Sequence, residues 1–597
     1  MLKRIKNYQI ILVVGLILIV IFAVFSPCLK NNFVGWDDDQ YVTDNIVIQN
    51  FSWPGVGEIF RSFFVGNYQP VTILSYFVEY KFFKLDSAGY HLTNLILYLL
   101  NCLLVFWLIY LLTRKISISS LTALLFGLHP LHVESVAWVS ERKDVLYGLF
   151  FLTALVCYCY YLRKPKIRRY YYLTLILFIL AILSKAMAIT LPLVLFLFDY
   201  ANNRKADKGM FIEKIPFFIL SFIFGVVAVI AQYSIQAVRS ENFTSFLPRI
   251  TIPSYSIIFY LNKIFAPVNL SCLYPYSGIK DISPFLYSLV IFIILLVAVI
   301  ISAKFTKKIV FGSAFFLIVI LPVLQFVPIG GAIVADRYVY IASLGIFYIL
   351  AEGVFWLFTK KTKHPRLLQC LILAILIAVI SVLAALTWKR CHVWNNGISL
   401  WNDALSKYPD IITAHNNRGI DYLEQGDVAQ AISNFDRIIE NQPNFEEAYN
   451  NRGIAYKARG NIAQAISDYN KAIELKPSYA EAFDNRADAY LEQGNIAQAM
   501  ADYSKAIEIN PKFIAAYCSR GTVYSQQGNF TQAIADLSRA VDLNPSLAEA
   551  YNNRAIAYYL AKEYDLAWID LHKAEKSGYK VNSDFLNALR KASGRDK

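Results

Sequence analysis

The chain has 597 residues, of which 57% are hydrophobic and only 17% charged, and its mean hydropathy is +0.43. Soluble globular chains carry closer to a quarter charged residues, so this composition excludes an ordinary soluble protein and points to many membrane crossings. The formal charge of +14 does not indicate nucleic acid, because the cations collect in short loops between apolar runs, where they act as topology signals.

The N-terminal segment "MLKRIKNYQIILVV" opens an apolar stretch of about 20 residues with no small-residue cleavage site, which reads as a retained anchor. From there to about Trp388, apolar runs alternate with short polar loops. Eleven spans are expected, near 8–27, 91–113, 116–129, 144–162, 170–184, 186–200, 215–235, 285–303, 309–328, 338–358 and 367–388. The third, fifth and sixth are short for a bilayer. Cations gather at Lys3/Arg4/Lys6, at Arg114/Lys115, and in 163–169, 203–208, 304–308 and 360–366. All six groups fall on one side if 253–267, "PSYSIIFYLNKIFAP", lies as an interfacial or re-entrant helix. The positive-inside rule then puts the N-terminus in the cytoplasm and the C-terminus outside. The eight cysteines are scattered and predict no disulfide framework.

Beyond Trp394 the chain becomes polar and periodic. Pro409, Pro443, Pro477, Pro511 and Pro545 are 34 residues apart, and Gly426, Gly460, Gly494 and Gly528 keep the same interval. That is the tetratricopeptide period, in which two antiparallel helices pack through small residues, glycine makes the turn and proline stops the second helix. The fold class expected is therefore all-α: a polytopic helical domain over 1–390, a half-repeat junction over 391–411, five repeats over 412–580 and a polar tail over 581–597. Asn417, Asn451, Asn485 and Asn553 recur at one helix position and stack along one face of such a solenoid. Amides arranged this way can bond a peptide backbone without reading its sequence, or can simply be helix-surface residues.

Three polar constellations lie in the loops assigned to the outer side. The first, "FVGWDDDQYVTDN", sets Asp37, Asp38 and Asp39 just after the first span. Such acids are either a solvated loop or helix cap, or a carboxylate poised to take a proton from a hydroxyl. The second, "HPLHVESVAWVSERKD", holds His129, His132 and Glu134, whose spacing does not match a zinc helix motif and nominates no further ligand. They cap a helix or support a substrate. A divalent metal is not supported by this spacing, and no cofactor is indicated. Arg142 in the same loop is a candidate phosphate contact, with a surface pair to Glu141 or Asp144 as its plain alternative. The third, "ADRYVYIASLG", offers Arg337, a planar cation that either pairs with a phosphate or anchors the interface.

Together with the repeats, these motifs resemble the transmembrane and tetratricopeptide-repeat proteins, a group of protein O-mannosyltransferases within the GT-C class of membrane glycosyltransferases. The group's paired acid in an F-V-x-D-D-like setting is matched by Asp37 and Asp38, with one extra residue before the pair. H-P-x-H-x-E-(A/S)-V is similar to "HPLHVESV", and (D/E)-R-x-x-Y-x-x-S is similar to "DRYVYIAS". The resemblance implies that the first-loop aspartate is the catalytic base and that Arg337 contacts a lipid phosphate. Asp336 and Tyr340 join the substrate-binding candidates as matched positions of the third motif. It also implies a polyprenyl-phosphate-linked sugar in the bilayer as donor and a polypeptide acceptor in the repeat groove. The location expected is a bacterial cytoplasmic membrane, with the repeats outside. Alternatives are a lipid or glycan acceptor on the same fold, and a non-catalytic membrane scaffold.

Overall fold

Long runs of Leu, Ile, Val and Phe in an apolar surrounding leave the backbone little choice but to satisfy its own hydrogen bonds as helix. The computed structural model describes residues 2–49, 52–235, 246–275, 283–326 and 332–595, and these are helical almost throughout. Two compact units divide the chain, Met1–Pro409 and Asp410–Lys597.

In the first unit, six helices are long and apolar enough to cross a membrane: Tyr8–Lys30, Ser87–Thr113, Val139–Arg163, Lys208–Ser234, Ser283–Ser302 and Pro365–Val393. The expected count of eleven is not reached by this measure, and the reason lies in helix length. Ile116–Leu128 stops before Pro130 and bends by 54° into the next segment; counted as one broken span, the pair raises the number to seven. Arg169–Ser184, Leu191–Ala201, Lys307–Ile320 and Ser343–Thr359 have only 16, 11, 14 and 17 residues. The end of the expected ninth span, 327–328, lies outside the described residues. The 253–267 stretch falls mostly within an amphipathic helix, Phe246–Phe265, which is not among the six.

Two of the short helices are locked by glycine. A Cβ on Gly345 would lie 2.2 Å from the Gly312 carbonyl oxygen, and one on Gly312 would lie 2.4 Å from that of Gly345. Lys307–Ile320 and Ser343–Thr359 therefore meet backbone to backbone, as only small residues permit. That contact fixes the start of the helix that follows Arg337.

The helix Gly397–Lys407, the expected half-repeat, belongs to this first unit. Asn396 starts it with a reciprocal capping box to Ser399. Trp401 on it is fully buried.

The second unit contains five helix pairs, from Ile412–Glu424 with Val428–Asn441 to Ala548–Leu560 with Tyr564–Lys576, followed by a helix at Ser583–Ser593. Ala431, Ala465, Ala499, Ala533 and Ala567 are fully buried where the helices of each pair close on one another. The turn glycines sit near φ +80°, where a side chain would be strained; at the matching place in the last pair stands Lys562, at φ 65°.

Candidate active site

Asp38 is the strut of the first motif. It is 1% exposed, and its Oδ2 accepts the Val34 amide at 2.9 Å. Its Oδ1 accepts the Ser140 amide at 2.8 Å and the Ser140 hydroxyl. The first outer loop is thereby tied to the second motif across 102 residues of sequence. Burial pushes the Asp38 carboxyl up to about 7 against the pull of those three hydrogen bonds. With both oxygens hydrogen-bonded, Asp38 ties the first loop to the second motif. This separates the two acids paired as catalytic candidates.

Asp37 is partly buried beside it; its backbone carbonyl accepts the Tyr41 amide at 3.0 Å, while its carboxylate accepts no hydrogen bond from the described residues. Its electrostatic neighbours are Lys143 and Glu141 from the second motif, Arg337 from the third, and Asp39. Burial raises its carboxyl, and Lys143 and then Arg337 oppose the rise. Asp39 is also raised by burial; its side chain bonds the Gln40 amide at 2.9 Å.

Around Asp37 the second and third motifs interlock. Arg337 Nη1 is bonded to Glu134, 203 residues away in sequence, and its Nε lies 3.2 Å from Glu141. Glu141 also receives Lys143 at 3.1 Å and Lys185 at 3.5 Å, while Lys185 reaches Asp144 at 2.6 Å. Asp144 in turn accepts the Ser135 hydroxyl at 3.0 Å. Buried charges persist only when paired and hydrogen-bonded, and here each ammonium and the guanidinium has at least one carboxylate.

A stack of tryptophans backs this network. Trp36 stacks on Trp138 with ring centroids 4.7 Å apart, Trp138 stacks on Trp394 at 5.5 Å, and Trp401 meets Trp36 edge-on at 5.2 Å. The Arg337 guanidinium lies 5.6 Å from the Trp138 ring. The first loop, the second motif and the half-repeat helix are thus packed into one wall.

Several residues expected at a substrate are occupied elsewhere. Arg142 is fully buried: it is bonded to Glu79, donates from Nε to Asn94 Oδ1 at 2.7 Å and from Nη2 to the Tyr90 carbonyl at 2.7 Å, and covers the Tyr76 ring at 4.9 Å. It holds helices together. His129 donates from Nε2 to the Ile264 carbonyl at 3.0 Å, and its Nδ1 accepts the Leu131 amide. His132 lies 2.8 Å from the Phe126 carbonyl and 3.1 Å from the Ser343 hydroxyl. Both imidazoles are tied into the packing. Tyr340 is buried, with its hydroxyl accepting from Asn101 at 2.8 Å. Asp336 accepts the Tyr274 hydroxyl at 2.7 Å, and burial raises its carboxyl to about 6. Glu134 serves as the partner of Arg337.

A cavity of about 580 Å³ opens beside the network. Lys143, Lys185, Gln69 and Tyr338 contribute polar lining, and Gly225, Ala228 and Val229 of Ile215–Ser234 contribute an apolar face. Among the described residues, the buried Nε2 of Gln69 has no hydrogen-bond partner. Sequence reasoning missed Lys143, Lys185 and Gln69. A lone lysine between two apolar runs, as in "LSKAMAI", is costly in a membrane and was the signal for Lys185. Gln69 gave no signal beyond preceding a helix-starting proline.

In the repeat unit the amide series is half-buried and largely self-bonded. Asn451 Nδ2 donates to Asn416 Oδ1 at 2.9 Å, Asn485 Nδ2 to Asn450 Oδ1 at 3.0 Å, and Asn553 Oδ1 accepts from Asn552 at 3.4 Å. Asn417 occupies the same helix face one repeat earlier.

Comparison with known proteins agrees with both parts of this description. Family models described as "Tetratricopeptide repeat" match 417–444 and 446–479, and one described as "TPR repeat" matches 487–528 and 521–561. Protein O-mannosyl-transferase F38B6.6 of Caenorhabditis elegans is 26% identical over 69% of this chain and 60% of its own length. Protein O-mannosyl-transferase TMTC3 of Mus musculus is 25% identical over 67% of this chain and 48% of its own. For TMTC4 of Homo sapiens the figures are 24%, 70% and 65%. Among solved structures, a crystal structure of MamA is 25% identical over 27% of this chain and 93% of its own, with a TM-score of 0.25. That of YrrB, a TPR protein with an unusual peptide-binding site, is 17% identical over 32% and 97%, with a TM-score of 0.26. The chain is thus similar to transmembrane protein O-mannosyl-transferases and carries tetratricopeptide repeats, and it spans about half to two thirds of the length of these three curated proteins.

Proposed function

We propose that this protein is a membrane glycosyltransferase that moves a sugar from a polyprenyl-phosphate carrier to a polypeptide hydroxyl at the outer face of a bacterial cytoplasmic membrane. The observation that carries this reading is the company Asp37 keeps. A partly buried carboxylate with no hydrogen bond among the described residues, raised by burial, lies among Lys143, Glu141 and Arg337, which the two other motifs deliver to it. Asp37 takes the proton of a Ser or Thr hydroxyl as its oxygen attacks the anomeric carbon. The bond from that carbon to the phosphate oxygen breaks, and polyprenyl phosphate leaves with the electron pair. Lys143, Lys185 and Arg337 offset the charge that develops on it.

The repeats recruit the acceptor on the same side. Six crossings would leave both chain ends on one side and eleven would not, so orientation rests on the six cation-rich loops. A reporter fused after Gly460 should read the outer side, and fusions after Lys166 and Lys361 the cytoplasm. A cytoplasmic signal at Gly460 would sink acceptor recruitment. The activity itself is tested in membranes supplied with polyprenyl-linked sugars and a peptide, comparing the native protein with Asp37→Asn at matched abundance. Equal transfer would remove Asp37 as the base.

A further inference from the structure

The first and last apolar helices of the membrane unit end beside each other, and each brings a cysteine to the meeting point. Cys28 lies in Ser26–Lys30, the short helix that finishes the first, and Cys391 lies in the closing turn of Pro365–Val393. Asn31 joins the two. Its amide donates to the Cys28 carbonyl at 3.1 Å, and its side chain donates to the Cys391 carbonyl at 3.3 Å, 360 residues away in sequence. One residue on, the Asn32 amide donates to the Asn395 carbonyl at 2.9 Å. Within that clip the two thiols come within hydrogen-bonding reach of one another. Both residues are wholly buried.

A single buried thiol fills a core as any small apolar group does. Two adjacent thiols at this place carry further chemistry. The proposed orientation puts both helix ends on the outer side, and outer compartments are oxidising. A bond there closes a loop of about 360 residues, and cross-links over long loops remove the most freedom from the unfolded chain. It also fastens the foot of the wall in which Trp36 stacks on Trp138 and Trp138 on Trp394. Sequence spacing hides the pair, because only the fold brings residues 28 and 391 together.

We propose that Cys28 and Cys391 are joined by a disulfide in the mature protein, a covalent clasp between the first and last membrane helices. This rests on the outward orientation of the proposed function. The oxidant is an oxidised dithiol oxidoreductase of the outer compartment. One cysteine thiolate attacks its disulfide and forms a mixed disulfide, and the second thiolate then attacks that bond. The Cys28–Cys391 bond forms, and the oxidoreductase leaves as a dithiol carrying the electron pair and the two protons. Exchange needs access, so the bond closes before helix packing seals it, and burial then shelters it from reductants.

Differential alkylation of the full-length protein from membranes tests the clasp. Free thiols are capped with a light maleimide in denaturant, disulfides are reduced, and the thiols released are capped with a heavy maleimide. Cys28 and Cys391 should carry about tenfold more heavy label than light, as a sheltered structural disulfide requires. Unreduced digests should contain the peptide that links them. Light label on both in the native protein overturns the cross-link, and so does a linked peptide pairing either one with a different cysteine. The reporter after Gly460, read in the same cells, separates the causes. Light label with an outer signal removes the cross-link alone, and light label with a cytoplasmic signal removes the orientation as well.

Discussion

Arg486 and Arg142 show two ways of holding a charge. In the repeats, Arg486 donates to both oxygens of Asp502, sixteen residues on, at 2.7 and 2.8 Å. Arg452, Arg520 and Arg554 do the same with Asp468, Asp536 and Asp570. Only the first repeat varies, with Arg418 bonding Asn434. In the membrane unit, Arg142 meets Glu79 across 63 residues, wholly out of solvent, and no second copy of that pair exists among the described residues. The repeated pairs are local, partly solvated and redundant. The pairs Arg142–Glu79 and Arg337–Glu134 are distant in sequence, largely buried and unrepeated. A redundant bond distributes stability, whereas an unrepeated buried one ties a particular loop to a particular partner, as Arg337 is tied beside Asp37.

Breaking single bonds should therefore cost more than breaking repeated ones. The largest expected effect is on Asp37: its change to Asn keeps size and removes the basic charge, so sugar transfer should fall roughly 10²- to 10⁴-fold with abundance unchanged. Next, Arg142→Met leaves Glu79 buried without a counter-ion and should destabilise the solubilised protein by about 3–5 kcal/mol in thermal unfolding. Adding Glu79→Gln should restore a large part of the loss, since the two residues form one unit.

Asp38→Asn tests the strut. Asn has one acceptor oxygen where Val34 and Ser140 together need two, so the loop should loosen and transfer fall with it, though less than for Asp37→Asn. Its pH signature is separate. The folded carboxyl is raised from 3.8 to about 7, so the folded state holds a proton in that window that the unfolded chain has released. The Asp38 contribution to stability should fall as pH climbs through the window, by at most about 1.4 kcal/mol per pH unit, and stay level above it. The Asn variant should lose that slope.

Smaller effects belong to the repeats. Arg486→Ala should lower the stability of the repeat unit by about 2 kcal/mol, because it strands the largely buried Asp502. Asn451→Ala with Asn485→Ala should weaken peptide binding only about two- to fivefold and leave helicity intact, since these amides already bond one another. A much larger loss would show that the ladder recognises peptide more strongly than its self-bonding allows.

Legibility follows the same division. The 34-residue period exposed the repeats because each interaction recurs in sequence at the interval at which it recurs in space. The three motifs were visible as polar islands, and Asp37 and Arg337 do come together. What could not be read was which polar residue of each island faces the others. Asp38 looked like Asp37, and Arg142 stood as a second phosphate candidate after Arg337, until Ser140 and Glu79 appeared as their partners. Such partners are chosen by helix packing and leave no spacing to find. The count of eleven spans is not confirmed, since six described helices are long and apolar enough to cross and others are shortened by breaks at Pro130 and through Ala186–Thr190.

The link from Asp38 to Ser140 and from Glu134 to Arg337 also sets an order of manufacture. The loop bearing Asp37 is complete early, but its clamp waits for residue 140 and its guanidinium neighbour for residue 337. At roughly 5–20 residues per second, the 300 residues between Asp37 and Arg337 take about 15–60 s to make. Throughout that interval the nascent chain carries Asp37 without the Arg337 guanidinium that later joins Lys143 beside it. A ribosome that stops anywhere before Arg337 leaves inserted helices and an unfinished pocket, so early truncations should be ready clients for membrane quality control.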